Sequence, residues 1–280
     1  NRQGKMMRPM LTLLAAKLVG GETNENSIHA AATFEFFHTA SLVHDDVVDE
    51  SEERRGQESI NNAYGNQVAV LVGDFILANA LLCASKTGSS QLIQNESFAA
   101  QHLASGELLQ LNNVKNQRID EAVYFDIIRS KTAALFAACA KGGALSVSSD
   151  EMAVKTLYEF GECVGICFQI RDDVLNLTGD FEGQKKQKYN DIYEGKRTLI
   201  LLHLLHHCSP EEHEHIEAIL SKPRELKTEP EVRYIRDLMD HYGSIAYAEK
   251  EAERYATMAL ELLPCIDFIR DNYCELFQQM

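Results

Sequence analysis

The sequence predicts an all-α fold, a bundle of long helices, and two observations carry that prediction. Apolar residues recur at steps of three and four along nearly the whole chain, the spacing of one helix face. Breakers are scarce: 5 prolines in 280 residues and 16 mostly single glycines leave little room for the turns of an all-β fold. Apolar residues make up 45% of the chain, ample for a large core.

The elements follow in order. Pro9 suits an opening turn and introduces a helix over 10–19. A second helix, over 28–49, sets Phe34, Phe37, Ser41, Asp45 and Asp49 along one stripe. Further long helices are expected over 61–86, 91–115, 120–147 and 150–178, separated by Gly88 and by the polar stretches 112–118 and 146–150. Residues 179–190 read as a lysine-rich loop, followed by shorter helices over 192–207, 210–220, 230–242 and 244–262 and a last piece over 265–280. The polar stretch 222–230 is too short to separate two cores, so residues 1–280 read as a single domain. Residue 1 is not Met, so an N-terminal segment is expected to have been trimmed.

Charge narrows the function. The 27 Lys and Arg against 42 Asp and Glu leave a net charge of −15, which argues against nucleic acid and against a polybasic membrane anchor. Seven scattered cysteines point to a reducing compartment, and the N-terminal residues lack the apolar stretch of a signal peptide; a cytoplasmic location is expected. The most membrane-like segment, 68–84, is short and interrupted by Asp74 and Asn79, so it reads as a buried helix and no transmembrane segment is expected.

The chemistry concentrates on two acidic helix faces. In the segment 41–56, Asp45 and Asp49 are four apart and share one face, with Asp46 beside them. Three aspartates at the C-terminal end of an apolar helix repel one another and the helix dipole, unless a cation sits there; hard divalent ions such as Mg²⁺ relieve the repulsion. Asp172 and Asp173 repeat the pair late in a second apolar helix, with Asn176 at the i+4 position. Two such faces opposed across a cavity would hold several Mg²⁺ ions and, through them, a substrate rich in phosphate oxygens. Basic residues flank both: Lys5 and Arg8, Arg54 and Arg55, Lys131 followed by Thr132, and Lys196 with Arg197. Cys163, Cys167, His203, His206, His207 and Cys208 read as packed thiols and a His-rich helix end in preference to a zinc site.

With these motifs in their order and spacing, the chain resembles the trans-isoprenyl diphosphate synthases, or polyprenyl synthetases, over essentially its whole length. The matching elements are Gly-Lys-Met-Met-Arg-Pro at 4–9, His-Thr-Ala-Ser-Leu-Val-His-Asp-Asp-Val-Val-Asp at 38–49 with Arg-Arg-Gly at 54–56, Val-Gly-Asp-Phe at 72–75, Lys-Thr-Ala at 131–133, Phe-Gln-Ile-Arg-Asp-Asp at 168–173 and Glu-Gly-Lys-Arg-Thr-Leu at 194–199. The resemblance implies an all-α isoprenoid synthase-type bundle around a central catalytic cavity, in a homodimer. It implies that Asp45, Asp49 and Asp172 ligate Mg²⁺, supported by Asp46 and Asp173, and that these five and Lys131 form the catalytic set. Lys5, Arg8, His38 and Arg55 would bind the diphosphate of isopentenyl diphosphate. Arg54, Lys131, Thr132, Gln169 and Lys196 would hold an allylic diphosphate such as farnesyl diphosphate, and Lys186 is counted with that set. The product would pass to a membrane.

In such an enzyme the residues one turn before Asp45 face the growing tail. Here they are the small Ala40 and Ser41, with Phe37 roughly 12 Å below Asp45 as a lower floor or wall. Short-chain relatives commonly carry a bulky aromatic beside the motif, so a product longer than the fifteen-carbon farnesyl unit is expected, as in the long-chain members that make quinone side chains. Two departures from the family pattern stand out. Asn176 replaces the usual aspartate, which removes a negative charge, and the loop 185–191 retains Lys186 and Asp191 without the family's glycines and proline. These departures point to a second reading, a non-catalytic regulatory subunit of a heteromeric prenyl synthase; a third, a terpene cyclase, shares the ionisation chemistry but needs no isopentenyl site, and Lys5, Arg8 and His38 argue against it.

Overall fold

The computed structural model describes residues 6–54, 56–113, 119–179 and 189–265. They are almost entirely helical, and the chain forms two compact units. The first comprises Asn1–His102, Ala134–Glu162 and Ala259–Met280, and the second Leu103–Ala133 and Cys163–Met258.

In the first unit, helix α1 (Met7–Gly20) carries Pro9 in its first turn, where the missing N–H costs no helical hydrogen bond. Helix α2 (Glu25–Val48) begins three residues earlier than its apolar pattern suggests, because Asn24 and Ser27 cap each other reciprocally. The expected helix over 61–86 breaks at Gly65, whose φ of +86° ends α3 (Ile60–Tyr64) before α4 (Asn66–Lys86) starts. Helix α7 (Ala134–Leu145) is buried against α1 and α2 through glycines. A Cβ at Gly143 would lie 2.1 Å from the Thr12 carbonyl oxygen, and one at Gly142 would lie 2.4 Å from the Phe34 ring.

The expectation of burial for 68–84 is only half met. Helix α4 packs on α2 through a stripe of small residues, Ala69, Gly73, Ala80 and Ala84. Its opposite face exposes Leu71, Phe75 and Leu82, and only 22% of its most apolar stretch is buried. By length and composition α4 is long and apolar enough to cross a bilayer. The small stripe explains the difference, since α2 covers one side of α4 closely and leaves the larger side chains on the other.

Helices α5 (Ser90–Asn113) and α8 (Glu151–Thr178) place their first halves in the first unit and their second halves in the second. The second unit also contains α6 (Glu121–Ile128), a π-helical turn over Arg129–Ala133, and α9 (Asn190–Glu194). Gly195, with φ of +73°, separates α9 from α10 (Leu199–His207), so the expected helix over 192–207 is two. Helices α11 (Pro210–Leu220) and α12 (Glu229–His241) each open on a capping box with a proline in the first turn, and α13 (Ser244–Leu262) follows. Their core is Leu199, Leu201, Leu204, Ile216, Val232, Ile235 and Met239. Of the residues weighed for zinc, His203 stacks on His207 and Tyr247 and meets Ser244 Oγ at 3.0 Å, while Cys163 is buried. The last expected piece, 265–280, lies outside the described residues apart from Cys265, which ends a 3-10 turn over Leu263–Cys265.

Candidate active site

The first acidic face grows from the end of α2. Asp46 is buried, Asp45 is half-buried and Asp49 caps the helix, its N–H donating to the Asp45 carbonyl oxygen at 2.8 Å. The chain then reverses through a short hairpin, β1 (Glu53–Arg54) paired with β2 (Gln57–Glu58). Asn61 and Ser59 hold this reversal by donating to backbone carbonyls of 46, 51 and 52. The hairpin returns Arg54 to Asp46: Arg54 Nε donates to Asp46 Oδ1 at 2.8 Å, and a second guanidinium N–H meets the same oxygen. A buried carboxylate with a two-pronged arginine is a fixed pair.

Arg8, from the first turn of α1, reaches His38 of α2, with Nη1 3.0 Å from Nε2. Arginine only donates, so in this contact Nε2 is the acceptor. The Arg8 guanidinium also sits over the Phe136 ring, 4.9 Å from its centre. Lys5 and Arg55, the other two expected isopentenyl-site cations, lie outside the described residues. Below Asp45, Phe37, Ala40 and Ser41 are all buried on the inner stripe of α2, and Phe34 lies a turn deeper.

The second acidic face lies late in α8. Asp172 is exposed and Asp173 is 2% exposed. Asp173 is the hub of a network: its Oδ1 accepts from Gln169 Nε2 and Lys196 Nζ, each at 3.0 Å, and its Oδ2 accepts from the Tyr124 hydroxyl at 2.9 Å. Thr132 donates to Gln169 Oε1 at 2.9 Å. Lys196 also lies 3.7 Å from Asp191. Burial works against the Lys196 ammonium, yet the carboxylates of Asp173 and Asp191 outweigh it and raise its pKa. Asp191 itself is pushed up to about 6, by burial first and by the neighbouring carboxylates, with Lys196 opposing.

Asn176 does not present its amide oxygen freely. That oxygen accepts the backbone N–H of Asp191 at 3.2 Å, and the Asn176 carbonyl accepts from Tyr189 N–H at 3.3 Å. Lys186 lies outside the described residues.

Lys131 and Thr132 stand in the π-helical turn, whose widened backbone projects them together. Gly106 of α5 lets that turn approach, since a Cβ there would lie 2.9 Å from Lys131 N. Lys131 Nζ pairs with Glu107 at 2.5 Å and donates to Gln110 Oε1 at 3.3 Å. Glu107, Gln110 and Tyr124 were not singled out from the sequence. Glu107 and Gln110 follow helical spacing in an ordinary polar face, and a tyrosine in an apolar helix reads as core.

The comparisons with known proteins span the part of the chain that carries these elements. The polyprenyl synthetase family model matches residues 1–239. The octaprenyl diphosphate synthase of Escherichia coli is 41% identical over 267 residues, 93% of this chain and 80% of that protein. The crystal structure of a polyprenyl synthase from Caulobacter crescentus, complexed with calcium and isoprenyl diphosphate, is similar with a TM-score of 0.90 and 36% identity, covering 99% of this chain and 83% of that one. A decaprenyl diphosphate synthase from Rhodobacter capsulatus gives a TM-score of 0.90 at 31% identity, over 99% and 84% of the two chains. With its helical fold and paired aspartates, the chain belongs to the polyprenyl synthetase family and is a prenyltransferase.

Proposed function

We propose that this chain condenses an allylic diphosphate with isopentenyl diphosphate, head to tail and in trans geometry, to give a polyprenyl diphosphate longer than fifteen carbons, the kind attached to quinones. The observation that carries this reading is the parallel construction of the two aspartate pairs. In each, the second aspartate is buried on a cation from later in the chain, Asp46 on Arg54 and Asp173 on Lys196, while its neighbour, Asp45 or Asp172, is less buried. In this reading residues 1–280 act as one catalytic domain.

Asp45, Asp49 and Asp172 are the oxygen donors suited to Mg²⁺, with Asp46 and Asp173 behind them; an all-carboxylate set fits a hard divalent ion that takes its remaining ligands from phosphate and water. Among the described residues no three His, Cys, Asp or Glu side chains are grouped so as to hold a metal ion. When bound, Mg²⁺ neutralises the diphosphate charge that grows as the allylic C–O bond breaks. Arg54, Lys131 with Thr132, Gln169 and Lys196 bind the allylic diphosphate and stabilise it as it leaves. Arg8 and His38, with Lys5 and Arg55, hold isopentenyl diphosphate so that its double bond meets the allyl cation. A new C–C bond forms, and the proton lost from the adjacent carbon goes to the departing diphosphate, so no protein base is required. Phe37, Ala40 and Ser41 line the path of the tail, where small side chains leave room for extension and apolar walls keep water from the cation.

The exposed Leu71, Phe75 and Leu82 face of α4 supports a homodimer, in which a second copy covers it. A cytoplasmic enzyme handing its product to a membrane accords with this reading. The purified chain, given farnesyl diphosphate, isopentenyl diphosphate and Mg²⁺, is expected to yield products beyond farnesyl length when resolved by chain length; farnesyl diphosphate alone from shorter primers would sink the length assignment. The second reading, a non-catalytic regulatory subunit, has one observation in its favour, the Asn176 amide tied to the Asp191 backbone. No condensation by the chain alone would favour it.

A further inference from the structure

We propose that Tyr124 is a positioning residue for Lys196, acting through Asp173 to make the lysine available to the allylic diphosphate. This inference rests on the assignment of Lys196 to that diphosphate. Tyr124 belongs to none of the motifs, yet it is 4% exposed in α6 with its hydroxyl 2.9 Å from Asp173 Oδ2. A carboxylate only accepts, so the phenol donates.

The consequence follows from burial. Asp173 is 2% exposed and cannot replace a lost partner with water. Its Oδ1 takes Gln169 and Lys196, and among the described residues Tyr124 donates to Oδ2. When Lys196 turns toward a diphosphate, Gln169 and Tyr124 keep one donor on each carboxylate oxygen. Without the Tyr124 hydroxyl, Oδ2 loses that donor, and the carboxylate competes more strongly with the diphosphate for the ammonium. The hydroxyl thus lowers the cost of releasing Lys196, and its loss weakens binding of the allylic substrate specifically.

The test is a double-mutant cycle with Y124F and K196A in the full chain, read through both Michaelis constants and through calorimetric binding of inorganic pyrophosphate with Mg²⁺. Y124F is expected to raise the allylic KM about five-fold and weaken pyrophosphate to match, while the isopentenyl KM moves less than about two-fold. In the K196A background the same change should alter the allylic KM by less than about two-fold. Equal effects on both substrates, no effect on either, or a full five-fold effect persisting without Lys196 would each overturn the role. So would loss of cooperative melting in Y124F, which would make the hydroxyl structural. An ordinary allylic KM in K196A would instead overturn the assignment of Lys196, a failure separate from that of Tyr124.

Discussion

The side-chain oxygen of Asn176 accepts the backbone N–H of Asp191 at 3.2 Å, so the residue that departs from the family's second aspartate motif anchors the start of α9. An aspartate at 176 would accept the same N–H and add a negative charge on the helix that carries Asp172. N176D is therefore expected to lower the half-activating Mg²⁺ concentration by about three-fold or more, measured by metal titration of the condensation rate. N176A should cost about 1 kcal/mol of stability through the lost hydrogen bond, read from urea midpoints.

Ser41 is buried one turn before Asp45, on the stripe that continues to Phe37 and Phe34. S41F is expected to shorten the product, seen as a shift toward fewer isoprene units in reversed-phase chromatography. Overpacking at this site should also cost about 1–3 kcal/mol of stability.

Glu96 on α5 is 2% exposed, and neither carboxylate oxygen has a hydrogen-bond partner among the described residues. Burial pushes its pKa up from 4.5 to about 7. A carboxyl raised in the folded state binds a proton there that the unfolded chain has already released. Its penalty is therefore absent below about pH 4.5, grows as the pH climbs, and is complete above about pH 7. The stability of E96Q relative to the parent should thus increase by about 3 kcal/mol between acid and mildly alkaline pH, read from denaturant midpoints across that range. A difference independent of pH would contradict it.

Leu71 is 67% and Phe75 71% exposed on the outer face of α4, opposite the stripe that packs on α2. If a second copy covers them, L71E combined with F75E should halve the mass seen by light scattering, since buried like charges would face each other across a two-fold interface. The far-UV spectrum should be unchanged, because neither side chain supports the core of its own chain.

Much of the fold was legible because helices are local. The 3.6-residue period of the apolar residues marked the long helices, and the expected spans 210–220 and 230–242 agree with α11 and α12 to within a residue. Two missed breaks share one cause. At Gly65 and Gly195 a single residue in the left-handed region ended a helix whose apolar pattern carried on beyond it. The π-helical turn at 129–133 left no mark in the spacing, because it widens the helix without changing which residues are apolar.

By itself the sequence determined the helical class, the two aspartate pairs and the family, since each depends on residue identity at fixed short spacing. Only the tertiary structure decided which groups Asp46 and Asp173 meet. Asp46 meets Arg54 because a hairpin reverses the chain, and Asp173, beside Gln169 of its own helix, meets Tyr124 of α6 and Lys196 of the loop after α9. Likewise, the exposed outer face of α4 is invisible in a run of apolar residues, because burial depends on which neighbour packs where. A hydrogen bond between residues far apart in sequence is written in the packing of the backbone, and no local pattern encodes it.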